Sequence, residues 1–136
     1  MKNFDFLFSL GVLIGVLMGA PLVAMADTPA QILARLQADA GGSASIERGR
    51  QLYHAKFPGE KAESCSTCHT ASPKDGGRHV RTNKAIEPLA PSGNPDRFTD
   101  MAKVEKWFKR NCNEVLNRAC TPQEKADFTA YVLSVR

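Results

Sequence analysis

Cys65-Ser66-Thr67-Cys68-His69 is the stretch on which the reading of this chain turns. It spells C-x-x-C-H, the attachment signal for a c-type haem. Two thiols separated by two residues reach the two vinyl groups on one haem edge and form thioethers. The histidine that follows falls under the iron as the proximal ligand. Other readings of the motif are a redox C-x-x-C, a zinc knuckle and a chance match. A thioredoxin-like motif belongs in a βαβ pattern, and no strand run surrounds this one. A zinc knuckle needs two more ligands at a short spacing, whereas Cys112 and Cys120 are eight apart.

The amino terminus fits the haem reading. Lys2 precedes an apolar run from about Phe6 to Val23, and Ala24-Met25-Ala26 is an A-x-A cleavage site. Residues 1–26 are therefore expected to be a secretory signal peptide, cut after Ala26, which makes the protein periplasmic. The run contains no twin arginine, so the general secretory route is expected. The alternative is an uncleaved membrane anchor over residues 6–23. Cleavage leaves one domain, residues 27–136, with a modest core that haem would enlarge. Lys2 and Asp5 leave together, so the net charge of +4 is unchanged. A mild positive balance suits docking to an acidic redox partner, and equally suits simple solubility. No run of bases with interleaved aromatics marks a nucleic-acid-binding surface. Cys112 and Cys120 are left over in an exported, oxidising setting, where a disulfide is the default and two free thiols the alternative.

Hydrophobic spacing gives the rest of the chain four helices and an all-α fold. Thr28-Pro29 opens the first, with Ile32, Leu33 and Leu36 as its stripe and Gly41-Gly42 as its end. Ser43 or Ser45 caps a second, running to about Lys56, on which Gly49, Leu52 and Tyr53 share a face. The haem motif is expected on a short helical turn. Residues 70–97, rich in proline and glycine, read as a long irregular loop that could wrap a haem edge. Thr99-Asp100 caps a third helix with Met101, Val104, Trp107 and Phe108 on its apolar face. Thr121-Pro122-Gln123-Glu124 is a capping box opening the last, whose stripe is Phe128, Tyr131, Val132 and Val135.

Function turns on the ligand opposite His69. A permanent methionine or histidine makes an electron carrier, whereas a weak ligand leaves iron open to small molecules. Met101 is the only methionine after residue 26, but it sits on an apolar stripe. His54 and His79 are the remaining histidines. Asn111 lies seven after Val104, four after Trp107 and three after Phe108, so it continues the stripe at the end of the third helix. It is either a helix-terminal asparagine bonding nearby backbone or an amide facing the iron.

Several longer stretches carry a resemblance. They are Pro88-Leu89-Ala90-Pro91-Ser92, Asn94-Pro95-Asp96-Arg97-Phe98-Thr99-Asp100, Val104-Glu105-Lys106-Trp107, Arg110-Asn111-Cys112-Asn113 and Arg118-Ala119-Cys120-Thr121-Pro122. Together they resemble the sphaeroides haem protein family, an unusual branch of the class I cytochromes c. The likeness runs from about Thr28 to the carboxyl end. It implies a class I cytochrome c fold around one covalently bound high-spin haem c. It also implies an asparagine sixth ligand directly before the first cysteine of a disulfide, here Asn111, Cys112 and Cys120. Gly49 and Tyr53 resemble the helix-crossing pair, with Tyr131 opposite. Pro88 resembles the loop proline whose carbonyl accepts the proximal histidine's ring N–H, with Leu89 against the haem. Trp107 and Phe108, on the stripe that carries Asn111, are expected in the haem pocket. His54-Ala55-Lys56-Phe57-Pro58-Gly59 departs from the family pattern.

An amide oxygen is a hard, neutral, weak ligand that tolerates ferric iron and binds ferrous iron poorly. The expected function is therefore electron transfer with Asn111 released on reduction, opening the iron to oxygen, nitric oxide or another small diatomic. The resemblance implies a dihaem cytochrome c and a membrane b-type cytochrome as redox partners. An ordinary low-spin carrier ligated by Met101 or a histidine is the first alternative. A small oxygen- or nitric-oxide-consuming enzyme is the second, without a proton donor that the sequence places. Arg81, Lys84 and Arg97 are candidates for pairing with haem propionates.

Overall fold

The computed structural model describes residues 25–58 and 62–136, so the expected signal peptide and its anchor alternative lie largely outside the described residues. Helix α1 spans Pro29–Ala40, α2 Ile46–His54, α3 Cys65–His69, α4 Met101–Leu116 and α5 Pro122–Ser134; two short strands, β1 Gly77–Arg78 and β2 Ala85–Ile86, lie between α3 and α4. Side-chain caps set the starts. Thr28 with Gln31 and Thr121 with Glu124 form reciprocal capping boxes, each followed by proline in the first turn. Ser45 and Asp100 cap α2 and α4 by accepting the N–H three residues on.

The core forms where α1 and α2 pack on α5. Ile32 and Leu36 of α1 are buried with Tyr53 of α2 and Val132 of α5. Gly49 decides how closely α2 and α5 approach. A Cβ there would lie 1.9 Å from the Asp127 carbonyl oxygen and 2.8 Å from Tyr131 Cβ, so only glycine fits. One turn later, the Tyr53 and Tyr131 rings pack with centroids 5.4 Å apart. This is the crossing expected from Gly49, Tyr53 and Tyr131.

A polar anchor beside the crossing was not read from sequence. Asp127 is 4% exposed on α5. Its carboxylate accepts the Ser45 backbone N–H at 2.6 Å, Arg48 Nε at 2.6 Å, Arg48 Nη2 at 2.9 Å and Gln123 Nε2 at 2.9 Å. Four donors leave little of a buried carboxylate unsatisfied, which is what makes its burial tolerable.

Three boundaries differ from the spacing-based expectation. Helix α2 stops at His54 rather than Lys56, because the Phe57 N–H turns away to donate to the Glu63 carbonyl at 2.7 Å. The segment 70–97 holds an antiparallel ladder pairing Gly77 with Ile86 and Arg78 with Ala85. The turn at its tip is closed by His79 N–H to the Lys84 carbonyl at 2.9 Å and Asn83 N–H to the His79 carbonyl at 2.8 Å. Helix α4 continues five residues past Asn111 to Leu116 and stops at Asn117, which is left-handed with φ 55°. Val115 and Leu116 are buried, so the apolar stripe carries the helix onward. No helix among the described residues is long and apolar enough to cross a membrane.

The Asp127 anchor gives a pH-dependent prediction. Burial by itself would raise its pKa, but hydrogen bonds from Arg48, the Ser45 N–H and Gln123 outweigh it and hold the carboxyl below its ordinary value. A depressed carboxyl contributes stability above its unfolded pKa of about 3.9 and loses it as pH falls through the folded value. Asp127→Asn should therefore cost about 1–3 kcal/mol at pH 7. The deficit should shrink below about pH 4 as the wild-type carboxyl protonates. Urea unfolding at pH 7 and pH 3 measures both; a deficit of equal size at the two values would show that charge plays no part.

Candidate functional site

Ser64 starts the α3 turn. Its Oγ accepts the Thr67 N–H at 3.2 Å while Thr67 Oγ1 accepts the Ser64 N–H at 3.1 Å. This capping box compensates for a helix of five residues, too short to hold itself. Helical spacing puts Cys65 and Cys68 on one face, with His69 next in line. Both cysteines are unbonded. Burial pushes the Cys65 thiol up to about 12. Burial, with a smaller push from the Arg97 charge, brings His69 down to about 4. The imidazole is therefore neutral at neutral pH, the form in which it binds a metal.

The turn is held by its neighbours. Tyr53 Oη donates to the His69 carbonyl at 3.0 Å and the Thr70 carbonyl at 2.9 Å. Gly77 of β1 lies directly on the motif, because a Cβ there would sit 2.0 Å from the Cys68 carbonyl oxygen. The hairpin backbone can therefore touch the turn only through glycine.

Cys65, Cys68 and His69 open on a cavity of about 530 Å³. Its other walls include Leu89, Arg97 and Phe98 of the loop, Trp107, Phe108 and Asn111 of α4, and Phe128 of α5. That volume is within the range of about 300–1,000 Å³ found for small-molecule and cofactor pockets. Two unbonded cysteines and a neutral imidazole stand on one wall of a mostly apolar space, a donor set that fits a covalently held haem.

The structure sorts the other sequence candidates. Leu89, Trp107, Phe108 and Asn111 line the cavity. Asn111 is solvent-exposed on that wall, and Trp107 is 41% exposed. Pro88 does not line the cavity, and its carbonyl accepts Arg97 Nε at 2.8 Å. The guanidinium also donates to the Glu87 carbonyl at 3.1 Å, so Arg97 holds two consecutive loop carbonyls, one of them the acceptor expected to face the histidine ring. Met101 packs against the core and does not reach the cavity. His54 does not reach it either, whereas His79 does. The His79 Nδ1 accepts the backbone N–H groups of Arg81 and Thr82 at 3.3 Å each, so in the neutral ring the hydrogen is on Nε2. That tautomer has no free lone pair for a metal. Arg81 and Lys84 are exposed on the hairpin, off the cavity wall. Cys112 and Cys120 form a disulfide with Cα atoms 5.6 Å apart, and both line the same cavity.

A helical domain built around a C-x-x-C-H turn, with one apolar cavity facing it, is a cytochrome c of the class I type. Comparison with known proteins agrees. Residues 39–132 match a domain family of unknown function, DUF1924. The chain is 47% identical over 123 residues to the cytochrome c-type protein SHP of Cereibacter sphaeroides, covering 89% of this chain and 95% of that protein. It is 45% identical over 92 residues to cytochrome c'' of Methylophilus methylotrophus, covering 66% of this chain and 64% of that one. Among solved structures, oxidized SHP, described as an oxygen binding cytochrome c, superposes with a TM-score of 0.73 at 52% identity, over 78% of this chain and 96% of that one. Oxidized cytochrome c'' superposes with a TM-score of 0.73 at 34% identity, over 79% and 94%. The chain belongs to the sphaeroides haem protein family of c-type cytochromes, and its cofactor is covalently bound haem c.

Gly77→Ala should force the hairpin off the α3 turn. The expected cost is about 1–3 kcal/mol of stability, the usual range for an overpacked site. Denaturant unfolding checks it, and a wild-type midpoint would mean that the hairpin does not bear on the turn.

Proposed function

We propose that this is a periplasmic electron-transfer cytochrome whose sixth ligand is released on reduction, so that the reduced protein takes up oxygen or another small diatomic. In this reading Cys65 and Cys68 carry the thioethers, His69 is the proximal ligand and Asn111 the distal one. The observation that carries it is the meeting of His69 and Asn111, from different helices, on one cavity that Met101 does not reach. The oxygen binding of one relative and a study of haem-ligand detachment in another support a ligand that comes and goes.

Haem c, when bound, supplies one-electron chemistry and an iron site for a small ligand. The chain's own residues set its terms. His69 is kept neutral by burial and by Arg97, and so offers a lone pair without losing a proton. Asn111 offers an amide oxygen, which suits the harder ferric state and is given up in the softer ferrous one. Trp107, Phe108 and Leu89 supply apolar wall around the ring. An ordinary low-spin carrier would need a permanent ligand, and His79 spends its Nδ1 lone pair on backbone amides.

Export and a single domain over residues 27–136 belong to the same proposal. Asp27 donates its N–H to the Thr99 carbonyl at 3.0 Å and pairs with Arg35 at 2.9 Å, whereas Met25 is 89% exposed. Among the described residues, then, Asp27, the one after the expected cut, is tied to the domain. The disulfide suits an oxidising compartment. The redox partner proposed is a protein with an acidic face, of the dihaem cytochrome c or membrane b-type class. Arg78, Arg81 and Lys84 are exposed on the hairpin beside the cavity and favour such a face.

Two experiments test the assignments. Acid–acetone should leave haem on the wild-type chain and remove it from Cys65→Ala/Cys68→Ala. Haem that washes out of the wild type would remove the thioethers from the reading. Asn111→Ala should keep haem attached and raise the rate of azide binding to the ferric protein about tenfold or more, since no amide has to leave first. Carbon monoxide binding to the ferrous protein should change little, and Met101→Leu should keep wild-type spectra. The opposite pattern, with Met101→Leu altering the iron spectrum and Asn111→Ala silent, would transfer the ligand role to Met101.

A further inference from the structure

The carboxyl side of the Cys65–His69 turn adopts a backbone conformation that its own sequence resists. Thr70 sits at φ 65° and ψ −179°. That region is essentially reserved for glycine, and a β-branched residue there is a genuine outlier. Such a residue persists only where the surroundings over-determine it.

The surroundings here are specific. The one hydrogen of the Tyr53 hydroxyl is shared between consecutive carbonyls, those of His69 at 3.0 Å and Thr70 at 2.9 Å. Thr70 Oγ1 adds a bond to the Ser72 carbonyl at 3.0 Å. Gly77 supplies a wall, because a Cβ there would lie 3.1 Å from His69 Cα. Tyr53 itself cannot follow a wandering turn. It is fully buried, with its ring against Tyr131 at 5.4 Å and Phe128 at 6.1 Å. Burial pushes its phenol well above the ordinary value, so the group stays a donor.

We infer that Tyr53 is a positioning residue for the proximal histidine: its hydroxyl holds Thr70 in the glycine-type conformation, and through it fixes the backbone of His69 relative to the haem. The inference rests on the reading of His69 as proximal ligand. A phenylalanine at position 53 would fill the same space in the helix crossing, so the hydroxyl acts on the turn and not on the packing. A glycine at position 70 would adopt the observed conformation without help. The two substitutions should therefore be non-additive.

Four holoproteins test this: wild type, Tyr53→Phe, Thr70→Gly and the double variant. The readouts are the iron–histidine stretching band in the resonance Raman spectrum of the ferrous protein and the azide affinity of the ferric one. Tyr53→Phe should displace the band and change azide affinity by about tenfold, the lower end for outer ligand partners. Thr70→Gly should match the wild type, and the double variant should return to it. A wild-type band in Tyr53→Phe overturns the inference. So does a double variant displaced as far as Tyr53→Phe, because the hydroxyl would then act through packing. If Tyr53→Phe does not fold with haem, the double variant decides: a wild-type band supports the clasp and a displaced one refutes it. A band missing from all four proteins would mean that ferrous iron keeps a sixth ligand, which overturns the released-ligand reading and not this inference; the azide affinities of the four ferric proteins then decide, the inference failing if Tyr53→Phe binds azide as the wild type does.

Discussion

The contact of α2 with α5 at Gly49 is the constraint on which the other distances depend. With no Cβ at position 49, the α2 backbone comes down onto the Asp127 carbonyl. Tyr53, one turn further on, is thereby carried under the haem turn, where its hydroxyl reaches two carbonyls. Packing alone is weakly directional and would let the two helices rotate about their contact. Asp127 supplies the direction, with four bonds to donors that must all be met together. A side chain at 49 would therefore disturb the core and the Cys65–His69 turn at once.

Helix α4 serves the opposite side. Val104, Phe108, Cys112 and Val115 are buried along one stripe that lines the cavity, while Trp107 and Asn111, each one residue before a member of it, stand on the same wall nearer solvent. One helix thus anchors in the core and presents an amide to the cavity. The Cys112–Cys120 bridge ties the residue after Asn111 to the residue before the Thr121 cap of α5. Lys125 of α5 also pairs with Glu105 of α4 at 2.5 Å, and its ammonium lies 5.9 Å from the centre of the Phe108 ring. The helix that carries Asn111 is held covalently near that residue and by a partly buried ion pair nearly two turns earlier.

The parts legible in sequence are those written locally. The caps at Thr28, Ser45, Asp100 and Thr121 signal themselves within four residues, and so does the haem motif. The helix-crossing pair was legible by resemblance, because glycine followed by an aromatic one turn later is a compact signal. The Asp127 anchor was not, because its donors Ser45 and Arg48 are separated from it by 82 and 79 residues. An aspartate on a helix otherwise reads as a solvated surface residue. The extent of α4 does not show in the sequence because Asn111 and Asn113 look like a helix end, whereas Val115 and Leu116 continue the buried stripe. Pro88 was expected to face the histidine ring. Its carbonyl accepts Arg97 Nε, a bond that depends on how a long loop folds back on itself and that no local spacing signals.

Arg97 also links the two sides of the site. Its guanidinium is bonded to the carbonyls of Glu87 and Pro88 and, among the described residues, pairs with no carboxylate. At the cavity wall it lies close enough to His69 to disfavour a second positive charge there. The same field opposes any added positive charge in the cavity, most strongly beside the buried wall where His69 lies. In the proposed reading the oxidised state carries the extra charge, so Arg97 favours the reduced state. That is the state in which the Asn111 amide is the poorer ligand. If His69 and Asn111 ligate as proposed, a cation fixed by uncharged carbonyls and a weak neutral donor across the cavity would act in the same direction, towards a reduced protein whose distal position is open.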